Sequence, residues 1–274
     1  SSMKIGFIGA GNMATAIIGG MIAQSFLKPQ DIAVYDISES QAAKTAEKFH
    51  VHVAGSQTEL IGECEFIVLA VKPVYLKDVL QKASPFANDK KFVSIAAGWT
   101  VKMLAEALAE PAAALLRCMP NTPLMVGEGF TAICEDTSFT KEDTQWVQAL
   151  FDSLGETAVL PERLFDAIVA VSGSAPAYVF VFVEALIDAG IRLGLPRDVA
   201  TRACEQTVLG AAKLLLETGE HPAKLKDMVC SPAGTTIDAV ASLEQDGFRS
   251  AVIRAMTACA EKSRSMAQPT QPKP

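Results

Sequence analysis

Short apolar runs alternate with longer segments of helical pattern along the first part of the chain, up to about Pro161. Runs rich in β-branched and other apolar residues predict strands of a sheet that is covered on both faces. The predicted strands span residues 4–8, 31–35, 66–71, 92–96, 114–119, 131–134 and 157–160. Helices are predicted at residues 12–26, 39–49, 100–109 and 140–153. This alternation predicts an α/β domain with a doubly wound, mostly parallel sheet of the Rossmann type.

After Pro161 the strand pattern stops, and only helical segments follow. They are predicted at residues 162–170, 174–194, 196–217, 222–229, 235–244 and 248–267, with Pro176, Pro196 and Pro222 in or just before first turns, where a helix needs no N–H. We therefore expect a sheet domain at residues 3–161 and an all-helical domain at residues 162–267. No secretory leader is expected, because Met3 and Lys4 lead straight into a strand. The Pro- and Gln-rich tail at residues 268–274 is expected to be disordered.

The most apolar long stretch, residues 175–195, is long enough to span a membrane. Its second half carries Glu184, Asp188 and Arg192, however, and charged side chains are costly inside hydrocarbon. We therefore expect a buried helix of a soluble protein. Because the three charges form one narrow line and the rest of the surface is apolar, this helix must be enclosed on several sides. The helical domain alone does not easily supply that enclosure.

Composition restricts the expected partners. Half of the 274 residues are hydrophobic, and the formal net charge is -7 with a pI near 5.1. Nucleic acids and anionic membranes both attract positively charged surfaces, so neither is expected, and a small-molecule substrate fits better. The six cysteines include no CxxC pair. We therefore expect a reducing, cytoplasmic location and no metal site.

A glycine-rich turn joins the first predicted strand to the first predicted helix. Gly9, Gly11 and Ala14 match the G-x-G-x-x-G/A pattern of dinucleotide-binding proteins. In this pattern the first glycine permits a tight turn, the second lets a pyrophosphate approach the backbone, and the third position lets helix pack on strand. We expect NADPH or NADH to bind here, although glycines can also serve a tight turn alone. The loop residues predicted to take part also include Ala10, Asn12 and Met13.

Asp36 ends the second predicted strand, 25 residues after Gly11. A carboxylate at this place can accept a hydrogen bond from the adenosine ribose 2′-OH, which favours NADH, whereas the 2′-phosphate of NADPH would need a nearby basic residue. No arginine follows within the next turn. Alternatively, Asp36 caps the helix at residues 39–49, a role that Ser38 can fill as well. The cofactor preference stays open at this point.

Further motifs follow the later strands and continue into the helical region. They are Ala70-Val71-Lys72-Pro73, Ala96-Ala97-Gly98, Arg117-Cys118-Met119-Pro120-Asn121-Thr122-Pro123, Ser172-Gly173-Ser174-Ala175-Pro176-Ala177-Tyr178 and Ser231-Pro232-Ala233-Gly234-Thr235-Thr236-Ile237. In this order and spacing the chain resembles the pyrroline-5-carboxylate reductases over nearly its whole length. The last motif is the most specific of them, because unrelated dehydrogenases share the glycine pattern.

The resemblance implies an activity, an assembly and a set of site residues. The activity is reduction of (S)-1-pyrroline-5-carboxylate to L-proline, the last step of proline biosynthesis, by hydride transfer from NADPH or NADH. The helical domain is implied to form an interlocked homodimer, with larger ring assemblies in some members, and this dimer would supply the missing enclosure of the apolar helix. The residues implied to line the nicotinamide and its ribose are Ala70, Val71, Lys72, Pro73, Ala97, Gly98, Met119 and Pro120.

The predicted substrate site centres on the last motif. Its members are Ser231, Gly234, Thr235 and Thr236, joined by Asn121. Because the motif precedes a predicted helix, its N–H groups are expected to hold the substrate carboxylate, with the Thr236 hydroxyl orienting the imine as the catalytic side chain.

Plainer roles stay open for several of these residues. Ser231 and Thr235 can simply cap the helix, Lys72 can be an exposed lysine, and Asn121 can belong to a plain turn. Ala233 departs from the family, since many members carry a second glycine there, and alanine would be strained if that position needs a positive φ.

Two other functions compete with imine reduction. A β-hydroxyacid-type dehydrogenase needs a base for the hydroxyl proton, and that family places a lysine on the first long helix of its second domain. The helix at residues 174–194 contains no lysine, and no histidine lies near it in the chain. A non-catalytic dinucleotide-binding protein is not excluded by fold alone. The complete motif at residues 231–237 argues against it.

Overall fold

The computed structural model describes residues 3–267, so the tail predicted to be disordered, residues 268–274, lies outside the described residues. The strands are β1 (Met3–Ile8), β2 (Ile32–Tyr35), β3 (His52–Val53), β4 (Cys64–Leu69), β5 (Lys91–Ser94), β6 (Ala114–Met119), β7 (Gly129–Cys134) and β8 (Gly155–Leu160). The helices beside them are α1 (Asn12–Ala23), α2 (Glu39–Phe49), α3 (Gln57–Glu63), α4 (Pro73–Ala83), α5 (Val101–Leu108) and α6 (Lys141–Asp152).

From β8 to residue 267, the last that the structure describes, the regular elements are all helices, as the sequence predicts. They are α7 (Phe165–Ile168), α8 (Ala175–Arg192), α9 (Arg197–Thr218), α10 (Pro222–Val229), α11 (Thr235–Gln245) and α12 (Phe248–Met266). A π-helical turn, Val169–Gly173, lies between α7 and α8.

The strands form one sheet in the order β3-β2-β1-β4-β5-β6-β7-β8. From β3 to β6 all neighbours pair in parallel, whereas β7 runs antiparallel to β6 and β8 runs parallel to β7. The reversal of strand order at β1 creates the crevice at which open sheets of this kind bind ligands. The predicted doubly wound, mostly parallel sheet is confirmed.

Successive residues of a strand point to opposite faces of the sheet, and both faces are covered here. On β1, Ile5 and Phe7 belong to one buried cluster with α1 and α6, while Ile8 belongs to a second cluster with α3, α4 and α5. A third, smaller cluster packs Met119 of β6 against Phe165 and Val169. Burial on both faces explains why these strands are nearly continuous apolar runs.

The sequence-based prediction missed β3, α3 and α4, although two of them carry readable signals. At α3, the Ser56 hydroxyl accepts a hydrogen bond from Glu59 N at 3.1 Å, which is half of a capping box. At α4, Leu76, Val79, Leu80 and Ala83 are buried at helical spacing after a proline in the first turn. The predicted strand at residues 66–71 was therefore too long at its end, because β4 ends at Leu69 and the chain turns into α4.

The chain divides into two compact units. The first contains the chain up to Ser174 together with the end of α12 from Cys259, and the second contains Ala175–Ala258. The segment at residues 162–174 thus packs with the sheet, through Phe165 and Val169. A functional boundary at Pro161 stays a prediction.

In the second unit, α8 is not buried in the single chain, in keeping with the expectation that one helical domain cannot enclose it. None of its residues is buried, and Phe180 and Val181 are 65% and 67% exposed. On one side α8 does pack on α9, where a Cβ added to Gly190 would lie 3.3 Å from the Ala200 Cβ. By length and composition alone, the helical run Glu162–Arg192 is apolar enough to cross a bilayer. One chain does not provide the surface that this helix needs.

The cysteines behave as small apolar side chains. All six are free thiols. Burial raises the pKa of the Cys64 thiol to about 12 and that of the Cys134 thiol to about 11, so both are protonated at neutral pH. Among residues 3–267, no three His, Cys, Asp or Glu side chains lie close enough together to hold a metal ion.

Candidate active site

The parallel strands bring most of the predicted cofactor residues to one edge of the sheet. The loops that follow β1, β4, β5 and β6 lie at the carboxyl ends of neighbouring parallel strands. That edge is where open α/β sheets bind their ligands. All four loops belong to the first unit, so the proposed cofactor edge is formed by that unit alone.

The glycine loop has the geometry that a bound pyrophosphate requires. Gly9 has φ +107°, and a Cβ there would lie 2.5 Å from the Ala70 carbonyl oxygen, so only glycine fits. A Cβ on Gly11 would meet nothing within 4 Å, which leaves open space beside the backbone. Gly11 is also the N-cap of α1, and no side chain caps that helix. Free N–H groups at an uncapped helix start favour an anion.

Asp36 joins the end of β2 to the glycine loop. Its Oδ2 accepts a hydrogen bond from Ala10 N and its Oδ1 accepts one from Ser38 N, both at 2.8 Å. The N-cap of α2 is Ser38, and no side chain caps that helix. Asp36 therefore does not cap α2, and this alternative is wrong. Each carboxylate oxygen can accept a second hydrogen bond, so a ribose hydroxyl remains a compatible partner.

The loops after β4 and β5 are tied to each other. Trp99 Nε1 donates a hydrogen bond to the Pro73 carbonyl at 3.2 Å, which links the Gly98 loop to the start of α4. Gly98 is buried and has φ +78°. The Lys72 side chain is exposed, in keeping with the plainer role considered for it. The sequence-based prediction missed Trp99, although an aromatic residue directly after a predicted ligand loop was a signal.

Asn121 and Met119, at the end of β6, use their side chains inside the first unit. Asn121 Nδ2 donates to the Ser172 carbonyl at 3.1 Å, and its Oδ1 accepts from Phe130 N at 2.8 Å. The Met119 Sδ lies 3.2 Å from where a Cβ of Gly173 would be. Both side chains thus hold the π-helical turn against the sheet. The predicted role of residues 119–121 in ligand binding stays a prediction. Because these two side chains are engaged, that role would belong to the main chain of the segment.

The start of the 162–174 segment is fixed by an ion pair of the buried Arg117 with a partly exposed glutamate, which the sequence did not reveal. Arg117 is 3% exposed, and its Nη1 lies 3.4 Å from Glu162 Oε2. The guanidinium also lies 4.8 Å from the centre of the Phe165 ring. Glu162 accepts a further hydrogen bond from Val101 N at 2.8 Å. Arg117 therefore positions this segment on β6.

In the second unit, the 231–237 motif forms a tight turn followed by a helix. Gly234 N donates to the Ser231 carbonyl at 3.1 Å, which closes a four-residue turn with Pro232 and Ala233 in the middle. Ala233 has φ +60°. Proline followed by a positive φ is the pattern of a type II turn, which normally takes glycine at the second central position. The concern about Ala233 is confirmed: this alanine is held in the left-handed region.

The helix after this turn begins without a side-chain cap. Gly234 is the N-cap of α11, and no side chain accepts a hydrogen bond from the first turn. The simple capping role considered for Ser231 and Thr235 is therefore absent. A Cβ on Gly234 would displace the Ser231 hydroxyl, which lies close beside it. Thr236 is half-buried in the first turn, beside N–H groups that are free to bind an anion.

Comparison with known proteins gives a consistent result over nearly the whole chain. Residues 162–266 match the family model "Pyrroline-5-carboxylate reductase dimerisation", and residues 4–98 match "NADP oxidoreductase coenzyme F420-dependent". The chain is similar to the pyrroline-5-carboxylate reductase of Escherichia coli (strain K12), with 47% identity over 97% of this chain and 98% of that protein. It is also similar to the enzyme of Arabidopsis thaliana, with 40% identity over 97% and 96%.

A solved structure agrees with these matches. The NADP-bound pyrroline carboxylate reductase of Plasmodium falciparum superposes with a TM-score of 0.90 and 32% identity, covering 97% of this chain and 98% of that one. The likeness therefore includes both the sheet and the helical region.

Proposed function

The chain belongs to the pyrroline-5-carboxylate reductase family, and on this premise we infer that it reduces (S)-1-pyrroline-5-carboxylate to L-proline, the last step of proline biosynthesis. The reductant is NADPH or NADH. Within the chain, the observation that carries the assignment of the substrate site is the uncapped start of α11 behind the turn at residues 231–234.

The cofactor is proposed to lie along the carboxyl edge of the sheet. The main chain of the glycine loop, with Gly9, Ala10, Gly11, Asn12 and Met13, would hold the pyrophosphate. The open space at Gly11 and the uncapped N-terminus of α1 support this assignment. The residues proposed to line the nicotinamide and its ribose are Ala70, Val71, Lys72, Pro73, Ala97, Gly98, Met119 and Pro120. When bound, the cofactor supplies the hydride.

The substrate is proposed to bind by its carboxylate at the start of α11. Free N–H groups of the first turn, together with the positive end of the helix dipole, favour an anion there. The Thr236 hydroxyl would then orient the ring nitrogen. A protonated imine is already electrophilic, so the chain needs mainly to hold the reacting carbon in line for hydride transfer. Ala233 and Pro232 restrict the turn, which keeps these donors in place before the substrate arrives.

We propose that the chain works as a homodimer or a multiple of dimers. It carries the dimerisation region of the family, and α8 exposes a large apolar surface in the single chain. A second copy would cover that surface.

Buried, protonated thiols suit a cytoplasmic location, which we also propose.

The direct test of this function is a spectrophotometric assay with pyrroline-5-carboxylate and each reduced cofactor in turn. We expect the cofactor to be oxidised only when the imine is present. If neither NADPH nor NADH is consumed while both bind, the chain is a dinucleotide-binding protein without this activity.

Asp36 is expected to influence the choice between the two cofactors. Asp36→Ser should lower kcat/KM with NADH relative to NADPH by roughly ten-fold, because one hydrogen bond to a charged acceptor is lost and the repulsion of a 2′-phosphate is removed. Asp36→Asn is the matched control for charge, since it keeps the shape and one acceptor. The measurement is the ratio of the two kcat/KM values, with Tm followed in parallel. An unchanged ratio in both variants would leave Asp36 with a purely structural role in bridging Ala10 and Ser38.

A further inference from the structure

The last two turns of α12 belong to the first compact unit, and they present one face to it. Cys259, Ser263 and Met266 follow each other at helical spacing on this face. Cys259 Sγ donates to Ser174 Oγ at 3.3 Å, and Ser263 Oγ donates to Asp166 Oδ1 at 2.7 Å. Ser263 is the one buried residue of α12. The end of α12 is thus fastened to the unit that contains the glycine loop.

The final contact on this face is made to a predicted cofactor loop. A Cβ built on Gly98 would lie 2.6 Å from the Met266 Cβ, 3.1 Å from its Cε and 3.3 Å from its Sδ. The whole Met266 side chain therefore runs along the open side of Gly98. The next residue, Trp99, donates from its Nε1 to the Pro73 carbonyl, which ties this loop to the start of α4. Met266 thus covers a glycine that has φ +78° in a loop that is anchored at the following residue.

We propose that Met266 is a positioning residue of the cofactor site, which it serves by keeping the Ala97-Gly98 loop in its binding conformation. The proposal rests on the proposed function, because that function places Gly98 beside the nicotinamide. A glycine in the left-handed region has the largest conformational freedom of any residue. If its covering side chain is removed, the loop gains states that the cofactor must remove again on binding. The polarisable, unbranched methionine suits such an irregular surface.

The test compares Met266→Ala with Met266→Leu in the full chain. Met266→Ala should weaken NADPH binding by roughly three- to ten-fold, whereas Met266→Leu, which restores most of the covering volume, should return it to within about two-fold of wild type. Binding is measured by fluorescence titration without substrate, and KM for each substrate is measured in the imine assay. We expect the rise in KM for NADPH to exceed the rise in KM for the imine, and Tm to stay close to wild type because Met266 is 38% exposed. Met228→Ala, a methionine that is 73% exposed, is the matched control.

Unchanged NADPH affinity in Met266→Ala would overturn the proposal. So would a loss of affinity that tracks a fall in Tm, or one that Met266→Leu does not restore. Because the titration needs no imine, it reports on Met266 even if the chain reduces a different substrate. A wild-type chain that binds NADPH but oxidises neither NADPH nor NADH when the imine is present would contradict the proposed function alone.

Discussion

Thr236→Val is expected to lower kcat/KM for pyrroline-5-carboxylate by roughly ten-fold or more, while NADPH affinity and Tm stay close to wild type. Valine keeps the shape of threonine and removes the hydroxyl, so the change deletes the hydrogen bond that Thr236 is proposed to make to the substrate. The structure sharpens this expectation, because α11 has no side-chain cap whose loss could lower stability instead. The measurements are steady-state kinetics with both substrates varied and a thermal unfolding curve.

Thr257→Val provides the control for this prediction. Thr257 is an exposed threonine on α12, in the part of that helix that belongs to the second unit. Its hydroxyl donates a hydrogen bond only to the Ile253 carbonyl of its own helix, at 2.9 Å. Its replacement should leave kcat/KM unchanged. Wild-type kinetics in Thr236→Val, or a fall in Tm large enough to explain the lost activity, would leave main-chain N–H groups as the only substrate contacts.

Phe180→Glu is expected to prevent dimerisation and to abolish most of the activity at ordinary assay concentrations. Phe180 is 65% exposed in the single chain, on the apolar face of α8 that a second copy is proposed to cover. Placing an unpaired carboxylate in that interface would weaken association by roughly 100-fold or more. Light scattering after size-exclusion chromatography gives the mass, and the specific activity is measured over a range of protein concentrations.

Two further variants serve as controls, one for the added charge and one for the lost apolar surface. Gln145→Glu adds the same charge to an exposed position of α6 in the first unit and should change neither mass nor activity. Phe180→Ala removes apolar surface without adding charge and should shift the dimer equilibrium less. A Phe180→Glu chain that keeps the wild-type mass and full activity would contradict the proposed interface. Tm must be compared at equal protein concentration, because association stabilises the folded chain.

The sheet could be predicted from the sequence because its strands are buried on both faces and therefore read as apolar runs. The glycine loop could also be predicted, because the tight turn at Gly9 leaves no room for any other residue. The omission of α4 shows the limit of strand-centred interpretation: its buried positions follow a helical spacing, yet the apolar run before it extended the predicted strand past Leu69.

Other features depend on contacts between residues that are far apart in the chain. Nothing local at Asn121 indicates that its amide is engaged by the Phe130 and Ser172 main chains. In the same way, the contact of Met266 with Gly98 joins residues that are far apart in the sequence. The burial expected for α8 is not reached in one chain for a different reason, because its apolar pattern reflects a surface that a single chain leaves uncovered.

The most direct test of the central claim is to follow the hydride itself. The enzyme is supplied with pyrroline-5-carboxylate and, in separate reactions, NADPH or NADH that carries deuterium at the transferred position of the nicotinamide, and the product is analysed by mass spectrometry and NMR. The predicted result, with at least one of the two cofactors, is L-proline with one deuterium at the former imine carbon, formed in equal amount to the cofactor oxidised. Oxidation of the cofactor without labelled proline, or no oxidation of either cofactor, would contradict the assignment of this chain as an imine reductase.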